Sequence, residues 1–309
     1  VLRIENLTKQ YGKLTAVNNL SLQLDAGDIM GFIGPNGAGK TTTIRMVSTL
    51  LKPTYGTAYV NGIDVLQYPE EIRPLIGYMP DFFGMYDDVL VWEYLDFFAA
   101  AYRIPVNKRN TIIDEVLELT DLLIKKENFV AELSRGMQQR LCLAKTLLHD
   151  PKLLLLDEPA SGLDPRARIE IKELLKELRK MGKTILISSH ILPELADFCN
   201  KIAIIEQGKL VVSGDVNEIM AQCRSGLCLK IRVVEREAEA IGCLAGLDVI
   251  SDAKLEEDSC ILATYVGEPG EQYAVLEALT RQGFKVRTFD EADLDLEDVF
   301  LKVTRGAVS

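Results

Sequence analysis

Gly34-Pro35-Asn36-Gly37-Ala38-Gly39-Lys40-Thr41 lies between a short apolar run, Ile29 to Ile33, and a segment in which Ile44, Val47 and Leu51 keep helical spacing until Pro53. The stretch satisfies the pattern GxxxxGK[ST] in full, in the strand, loop, helix setting that its mechanism requires. Glycines let backbone N–H groups close around phosphates, and the helix N-terminus adds partial positive charge. Lys40 is placed to neutralise the outer phosphates, and the Thr41 hydroxyl to ligate Mg²⁺. Gly34, Asn36, Gly37, Ala38, Gly39, Lys40, Thr41 and Thr42 are therefore the candidate phosphate contacts. The competing reading is a Gly-rich turn with a solvated lysine.

Outward from this loop, strands and helices alternate, which predicts an α/β core. Toward the N-terminus, Leu2-Arg3-Ile4-Glu5 and Leu20-Ser21-Leu22-Gln23-Leu24 alternate apolar and polar residues, the pattern of a half-buried antiparallel layer. Toward the C-terminus, Val91, Tyr94, Leu95, Phe98 and Tyr102 share one helical face, as do Ile112, Val116, Leu119 and Leu123, predicting a helical subdomain over about 85–150. Leu153 to Leu156 and Thr184 to Ser188 read as buried strands of a parallel sheet, with a helix between them that opens at Asp164-Pro165 and closes before Gly182. A hairpin turn is expected at Gln207-Gly208, a short helix from Asp215, and a linker at Ser225-Gly226. This gives one domain over 1–222 and a small α+β domain over 223–309, with strands at 227–234, 261–266 and 285–289 and a helix over 272–281. A last helix is expected to carry Leu296, Val299, Phe300 and Val303 on one face.

Leu153-Leu154-Leu155-Leu156 runs straight into Asp157-Glu158-Pro159. Two carboxylates ending a buried strand need a compensating cation, because isolated buried charges are very costly. Mg²⁺ meets that need next to a phosphate loop: Asp157 holds the metal, directly or through water, and Glu158 faces an attacking water as general base. Read without the upstream loop, the same two acids would fit an exposed turn.

Leu133-Ser134-Arg135-Gly136-Met137-Gln138-Gln139-Arg140, shortly before that strand, resembles the signature motif of the ABC ATPases. The resemblance covers residues 2 to about 220 and includes Tyr11 in a Tyr-Gly pair, Ser161-Gly162-Leu163-Asp164, and His190. It implies the P-loop NTPase fold of that family: a mixed β sheet with an antiparallel β layer and a helical subdomain. It also implies that Tyr11 stacks on adenine and that Ser134 and Gly136, with Arg135 and Met137 beside them, meet the γ-phosphate of ATP held by the opposite subunit. Asp164 would tie the two subunits together, and His190 would contact the γ-phosphate and help place Glu158, so that Glu158, His190 and Lys40 form the catalytic set. His149 reads as a helix-end residue near the negative end of the dipole.

Two positions depart from the family's commonest form. In Ile76-Gly77-Tyr78-Met79-Pro80-Asp81, Asp81 stands where a Mg²⁺-sensing glutamine is usual; its oxygens can also ligate a hard cation, so Thr41, Asp81 and Asp157 form the candidate metal set. Arg135 and Met137 replace a glycine and a glutamine, and Arg135 either reaches the partner's nucleotide or faces solvent. The ending Asp295-Leu296-Glu297-Asp298-Val299-Phe300-Leu301 resembles a tail of the exporter branch that contains drug, sodium and lipid-type exporters. A generic regulatory, dimerising or packing module is the alternative there. The acids Asp290, Glu291, Asp293, Asp295, Glu297 and Asp298 lack the glycine of a calcium loop, and are expected instead to favour a helix N-terminus.

Bulk properties narrow the function. At 309 residues, with 48% hydrophobic and 26% charged residues, the chain has material for two cores. A formal charge of −11 disfavours nucleic acid as partner. No apolar run reaches the roughly 18–20 residues that span a bilayer, so any membrane role is expected to be peripheral, and the resemblance implies the cytoplasmic face. The six cysteines form no CxxC pair, consistent with a reduced setting. Each motif occurs once, so a complete site needs a dimer with itself or with a related ATPase subunit. The expected function is the ATP-hydrolysing subunit that powers a separately encoded integral membrane transporter, an exporter. The alternatives are a soluble ATPase acting on ribosomes or DNA, and a nucleotide binder without turnover, which the presence of Glu158 argues against.

Overall fold

The computed structural model describes residues 1–82, 84–191, 195, 198–223, 227–256, 259–268 and 270–292. They fall into two compact units that divide between Val216 and Asn217, a few residues before the expected linker.

In the first unit, β1 (Leu2–Tyr11) and β2 (Leu14–Leu24) pair antiparallel, and β3 (Ile29–Ile33) follows. After α1 (Lys40–Val47) come β4 (Tyr55–Val60) and β5 (Ile63–Asp64), which complete an antiparallel sheet of order β2-β1-β4-β5. A short α2 (Pro69–Ile72) leads to β6 (Ile76–Met79). The helical stretch contains α3 (Val91–Ala101), α4 (Val106–Leu119) and α5 (Arg135–Leu147), with Pro105 breaking the first two apart. Then come β7 (Leu153–Asp157), α6 (Pro165–Lys180), β8 (Thr184–Ser189), and the hairpin of β9 (Lys201–Glu206) with β10 (Lys209–Asp215).

The second sheet has the order β10-β9-β3-β8-β7-β6, parallel except for the β9–β10 hairpin. Every residue of β3, β7 and β8 is buried, which explains their unbroken apolar runs: a parallel strand covered on both faces has no solvent side to mark with polar residues. Leu2, Leu20, Phe32, Ile44, Leu155 and Leu186 join one core between the two sheets and α1. Full burial of such a side chain is worth about 1.5–3 kcal/mol. Gln207 and Gly208 both have positive φ, as a two-residue hairpin turn with the twist of its strands requires. At the start of α6, Asp164 Oδ1 accepts a hydrogen bond from Ala167 N at 2.9 Å and Pro165 occupies the first turn, as the sequence led us to expect.

The division falls at the first turn of α7 (Val216–Cys223). The second unit then runs β11 (Leu227–Val233), α8 (Glu237–Ala245), β12 (Ile250–Glu256), β13 (Cys260–Tyr265), α9 (Tyr273–Arg281) and β14 (Val286–Ala292). Its sheet order is β12-β13-β11-β14 with every pairing antiparallel, the split βαββαβ arrangement of ferredoxin-like folds. Leu229, Ile231, Ile261 and Ala263 face Ala240, Leu244, Val275 and Leu279 in a core of their own. Sequence reading missed α8 and β12. β12 is an edge strand on which only Ile250 is fully buried, so it shows no apolar alternation, and α8 carries Gly242 in its interior. Asp290 and Glu291 lie in β14, opposite Lys230 and Leu229, so these two acids serve a strand and not a helix start. The expected helix over 296–303, the tail 295–301, and Asp293, Asp295, Glu297 and Asp298 lie outside the described residues. Among the described residues no helix is long and apolar enough to cross a membrane.

Candidate functional site

β3 delivers the chain to the phosphate-type loop at the C-terminal end of the parallel strands, where α/β sheets place their ligands. Two glycines there are dictated by space. A Cβ on Gly34 would strike the Ile205 carbonyl oxygen, and one on Gly39, whose φ is +107°, would lie 2.5 Å from the Ala16 carbonyl oxygen. α1 starts at Lys40 with no side-chain cap, which leaves its first N–H groups for an anion.

Lys40 is buried, and its Nζ donates to the carbonyls of Gly34 at 2.7 Å and Pro35 at 3.3 Å. The same ammonium lies 3.4 Å from Glu158 Oε1. The other carboxylate oxygen, Glu158 Oε2, is 2.8 Å from His190 Nδ1. One residue earlier, Asp157 Oδ1 accepts from Ser188 Oγ at 2.7 Å and from Thr41 Oγ1 at 3.1 Å. Ser188 Oγ in turn accepts from Glu158 N at 3.0 Å. Asp157 is 1% exposed, and its Oδ2 is buried without a hydrogen-bond partner. Burial pushes the Asp157 carboxyl above the usual carboxylate range; Ser188 and Thr41 oppose the shift, and the charges of Asp81 and Glu158 add to it. A buried carboxylate with one idle oxygen and two acidic neighbours fits a divalent cation, so the residues present suit Mg²⁺.

Around this constellation opens a pocket lined by Ala16, Asn36 to Thr42, Asp81, Glu158, Ser161 and His190. The structure thus gathers the phosphate-loop residues, Asp81, Glu158 and His190 in one place. Tyr11 is not among the lining residues; it is 48% exposed at the end of β1, with Lys9 Nζ 5.2 Å from its ring centroid. Nor are Ser134, Arg135, Gly136, Met137 or Asp164. Ser134 caps α5, its Oγ accepting from Met137 N at 3.3 Å. Arg135 is exposed and turns toward its own chain, with Nη2 3.5 Å from the Ser161 carbonyl oxygen. His149 lies beyond the end of α5, half-buried and stacked on Tyr102 with ring centroids 3.8 Å apart; its Nε2 donates to the Ile76 carbonyl at 2.9 Å. It stands at the helix end, as its place in the sequence predicts, and burial pushes its pKa down.

Sequence reasoning gave no role of their own to Ser188, or to Ser161 and Gln139 within the quoted motifs. A hydroxyl inside a fully buried strand, as at Ser188, is a signal that it has a polar partner to hold. Gln139, 2% exposed within α5, carries the same signal.

The chain is 35% identical to the Nod factor export ATP-binding protein I of Cupriavidus metallidurans, over 98% of this chain and 97% of that protein. The chain belongs to the ABC transporter ATP-binding proteins. Residues 17–161 match the family described as ABC transporter. The bacitracin transport ATP-binding protein BcrA of Bacillus licheniformis is 34% identical over 99% of this chain and 98% of its own. Among solved structures, an ATP-binding subunit of an ABC transporter superposes with a TM-score of 0.65 at 29% identity, over 72% of this chain and 92% of that one. The dimeric structure of MJ0796, a bacterial ABC transporter cassette, gives 0.63 at 27% identity over 70% and 99%. The chain is accordingly an ATP-binding and ATP-hydrolysing subunit of an ABC transporter.

Proposed function

We propose that this ABC ATPase powers an exporter by closing, with a second copy of itself or a related subunit, around two Mg²⁺-bound ATP molecules. The observation that carries the reading is the Glu158 carboxylate held between Lys40 and His190 in a phosphate-loop pocket that no signature residue of the same chain lines. Each motif occurs once, so the missing wall must come from another cassette, whose Ser134, Gly136 and Met137 are exposed or half-buried at the start of α5 and free to supply it.

In this reading Glu158 accepts the proton of the attacking water, and His190 holds the carboxylate in position. Lys40 and the α1 N-terminus bind the phosphates, and ATP competes with Glu158 for the Lys40 ammonium. Thr41, Asp157 and Asp81 would hold Mg²⁺, which neutralises phosphate charge when bound; the idle Asp157 Oδ2 supports that assignment. Tyr11 offers an exposed ring for adenine, and Asp164, exposed with one oxygen on Ala167 N, offers the other to a facing subunit.

The direction of transport follows the full-length relatives, whose names speak of Nod factor export and daunorubicin resistance. In this reading the partner is an integral membrane subunit, and the chain works at the cytoplasmic face of a membrane. A soluble role on nucleic acid is not favoured. The ferredoxin-like sheet sets Lys230 beside Leu262 and Cys228 beside Thr264 on its open face, and no aromatic ring stands at these positions for a base to stack on.

The test is Glu158→Gln. It should abolish turnover, retain ATP binding, and trap an ATP-dependent dimer on size-exclusion chromatography. Hydrolysis at the wild-type rate would remove Glu158 from the mechanism. Mild-detergent purification of the tagged chain from its native membranes should bring a stoichiometric integral membrane protein; ribosomal or DNA-repair proteins without one would favour the soluble reading.

A further inference from the structure

α5 reaches the segment that follows Glu158 through two donors one helical turn apart. Gln139 Nε2 donates to the Pro159 carbonyl, and Arg135 Nη2 lies 3.5 Å from the Ser161 carbonyl oxygen. At 3.5 Å the second bond is weak, but the guanidinium is also laid flat against the turn. A Cβ on Gly162, whose φ is +68°, would come within 2.5–2.8 Å of Arg135 Nη2, Cζ and Nη1. Beside it a Cβ on Gly136 would meet the Ala167 Cβ at 3.1 Å, so the start of α5 rests closely on the first turn of α6.

This turn connects directly to the site. Ser161 N donates to the Glu158 carbonyl at 3.0 Å, and Ser161 lines the ATP pocket. Glu158 itself has φ +50°, a conformation that a side-chain-bearing residue holds only when its surroundings impose it. Whatever fixes the Ser161–Gly162 turn therefore helps fix the carboxylate.

We infer that Arg135 is a positioning residue: from the start of α5 it grips the Ser161–Gly162 turn and sets Glu158 of its own chain, linking the signature end of one subunit to hydrolysis in that same subunit. The inference rests on the composite site proposed above. Ser134 and Gly136, adjoining Arg135, are the groups offered to the nucleotide of the opposite subunit. Occupancy of that site then reaches Glu158 here through Arg135, and the two sites of a dimer hydrolyse cooperatively. A glycine at position 135 would have no side chain with which to make this link, and a lysine would lack the planar fork that lies on Gly162.

The test uses the full chain, with steady-state ATP hydrolysis across ATP concentrations and equilibrium binding of a fluorescent ATP analogue. Arg135→Ala and Arg135→Lys should both lower kcat about tenfold, keep nucleotide affinity within about twofold, and bring the Hill coefficient toward one. Gly162→Ala, which pushes the guanidinium off the turn, should behave alike. Because Arg135 is exposed, its variants are expected to keep the wild-type melting temperature. Wild-type kinetics in Arg135→Lys, with Arg135→Ala raising KM alone, would overturn the inference in favour of a charge acting on the partner's nucleotide. Wild-type kinetics in both would make Arg135 a solvated side chain. Glu158→Gln, run alongside, reports separately on the composite catalytic site, since unchanged hydrolysis there would fail that reading whatever Arg135 does.

Discussion

His190 Nδ1 stands 2.8 Å from Glu158 Oε2, in a pair whose glutamate has 12% of its side chain exposed. The backbone of Glu158 is left-handed at φ +50°, which costs about 1–3 kcal/mol in a residue with a side chain. That cost is met by fixed partners on every side: Ser188 on its N–H, Ser161 on its carbonyl, Lys40 and His190 on its carboxylate. Strain and burial together hold a carboxylate at a chosen point over the phosphate loop, which is what a general base needs.

Removing the imidazole frees one carboxylate oxygen and leaves in place Lys40 and the start of α1, the groups proposed to bind phosphate. His190→Ala should therefore lower kcat by roughly 100-fold while ATP affinity stays within about twofold. Steady-state hydrolysis paired with nucleotide titration separates the two. A loss confined to affinity would assign His190 to binding alone.

Asp157 gives a prediction in which stability and activity move apart. Burial raises its pKa in the folded protein, so at neutral pH the ionised form carries a folding penalty that the unfolded chain does not have. Asn at this position keeps an acceptor for Ser188 Oγ and Thr41 Oγ1 and carries no charge. Asp157→Asn should raise the melting temperature without nucleotide, lower Mg²⁺-dependent hydrolysis by about 100-fold or more, and shrink the thermal shift that Mg²⁺ and ATP produce. A lower melting temperature in the nucleotide-free variant would count against the buried-charge account.

The parts of this chain legible in its sequence are those in which one local pattern has one physical meaning. Lys40 after a glycine loop, Asp157 and Glu158 after four leucines, and Asp164-Pro165 at a helix start each came out where expected, because strand burial and capping are local effects. What escaped depends on tertiary neighbours. β12 reads as polar because it is a sheet edge, and Ser188 matters only because β7 and β8 pair and bring it beside Asp157. The side to which Arg135 turns could not be read either, since Gly162 is 27 residues away in sequence.

Gly39 tests the backbone of the phosphate loop apart from its charges. Its φ of +107° excludes an ordinary side chain, and an added Cβ would press on the Ala16 carbonyl oxygen. Gly39→Ala should cost about 1–3 kcal/mol of folding stability in urea titrations. It should also weaken ATP binding, because the loop cannot shift without moving the first N–H groups of α1. Wild-type stability and affinity would show that the loop relaxes freely.

His149 predicts a pH dependence outside the phosphate-loop pocket, which it does not line. Its pKa is lowered from the ordinary 6.5, chiefly by burial; the Ile76 carbonyl and Asp150 act against the shift, and Lys183 with it. As pH falls, the unfolded chain takes up this proton before the folded one does, so the stability contributed is complete above about 6.5 and is lost below it, toward the folded value. His149→Gln keeps a donor for Ile76 and does not titrate. Between about pH 7.5 and 5.5 the wild-type melting temperature should fall further than that of the variant, even though the variant starts lower for want of the stack on Tyr102. Parallel falls would mean that burial does not shift His149 from its ordinary titration.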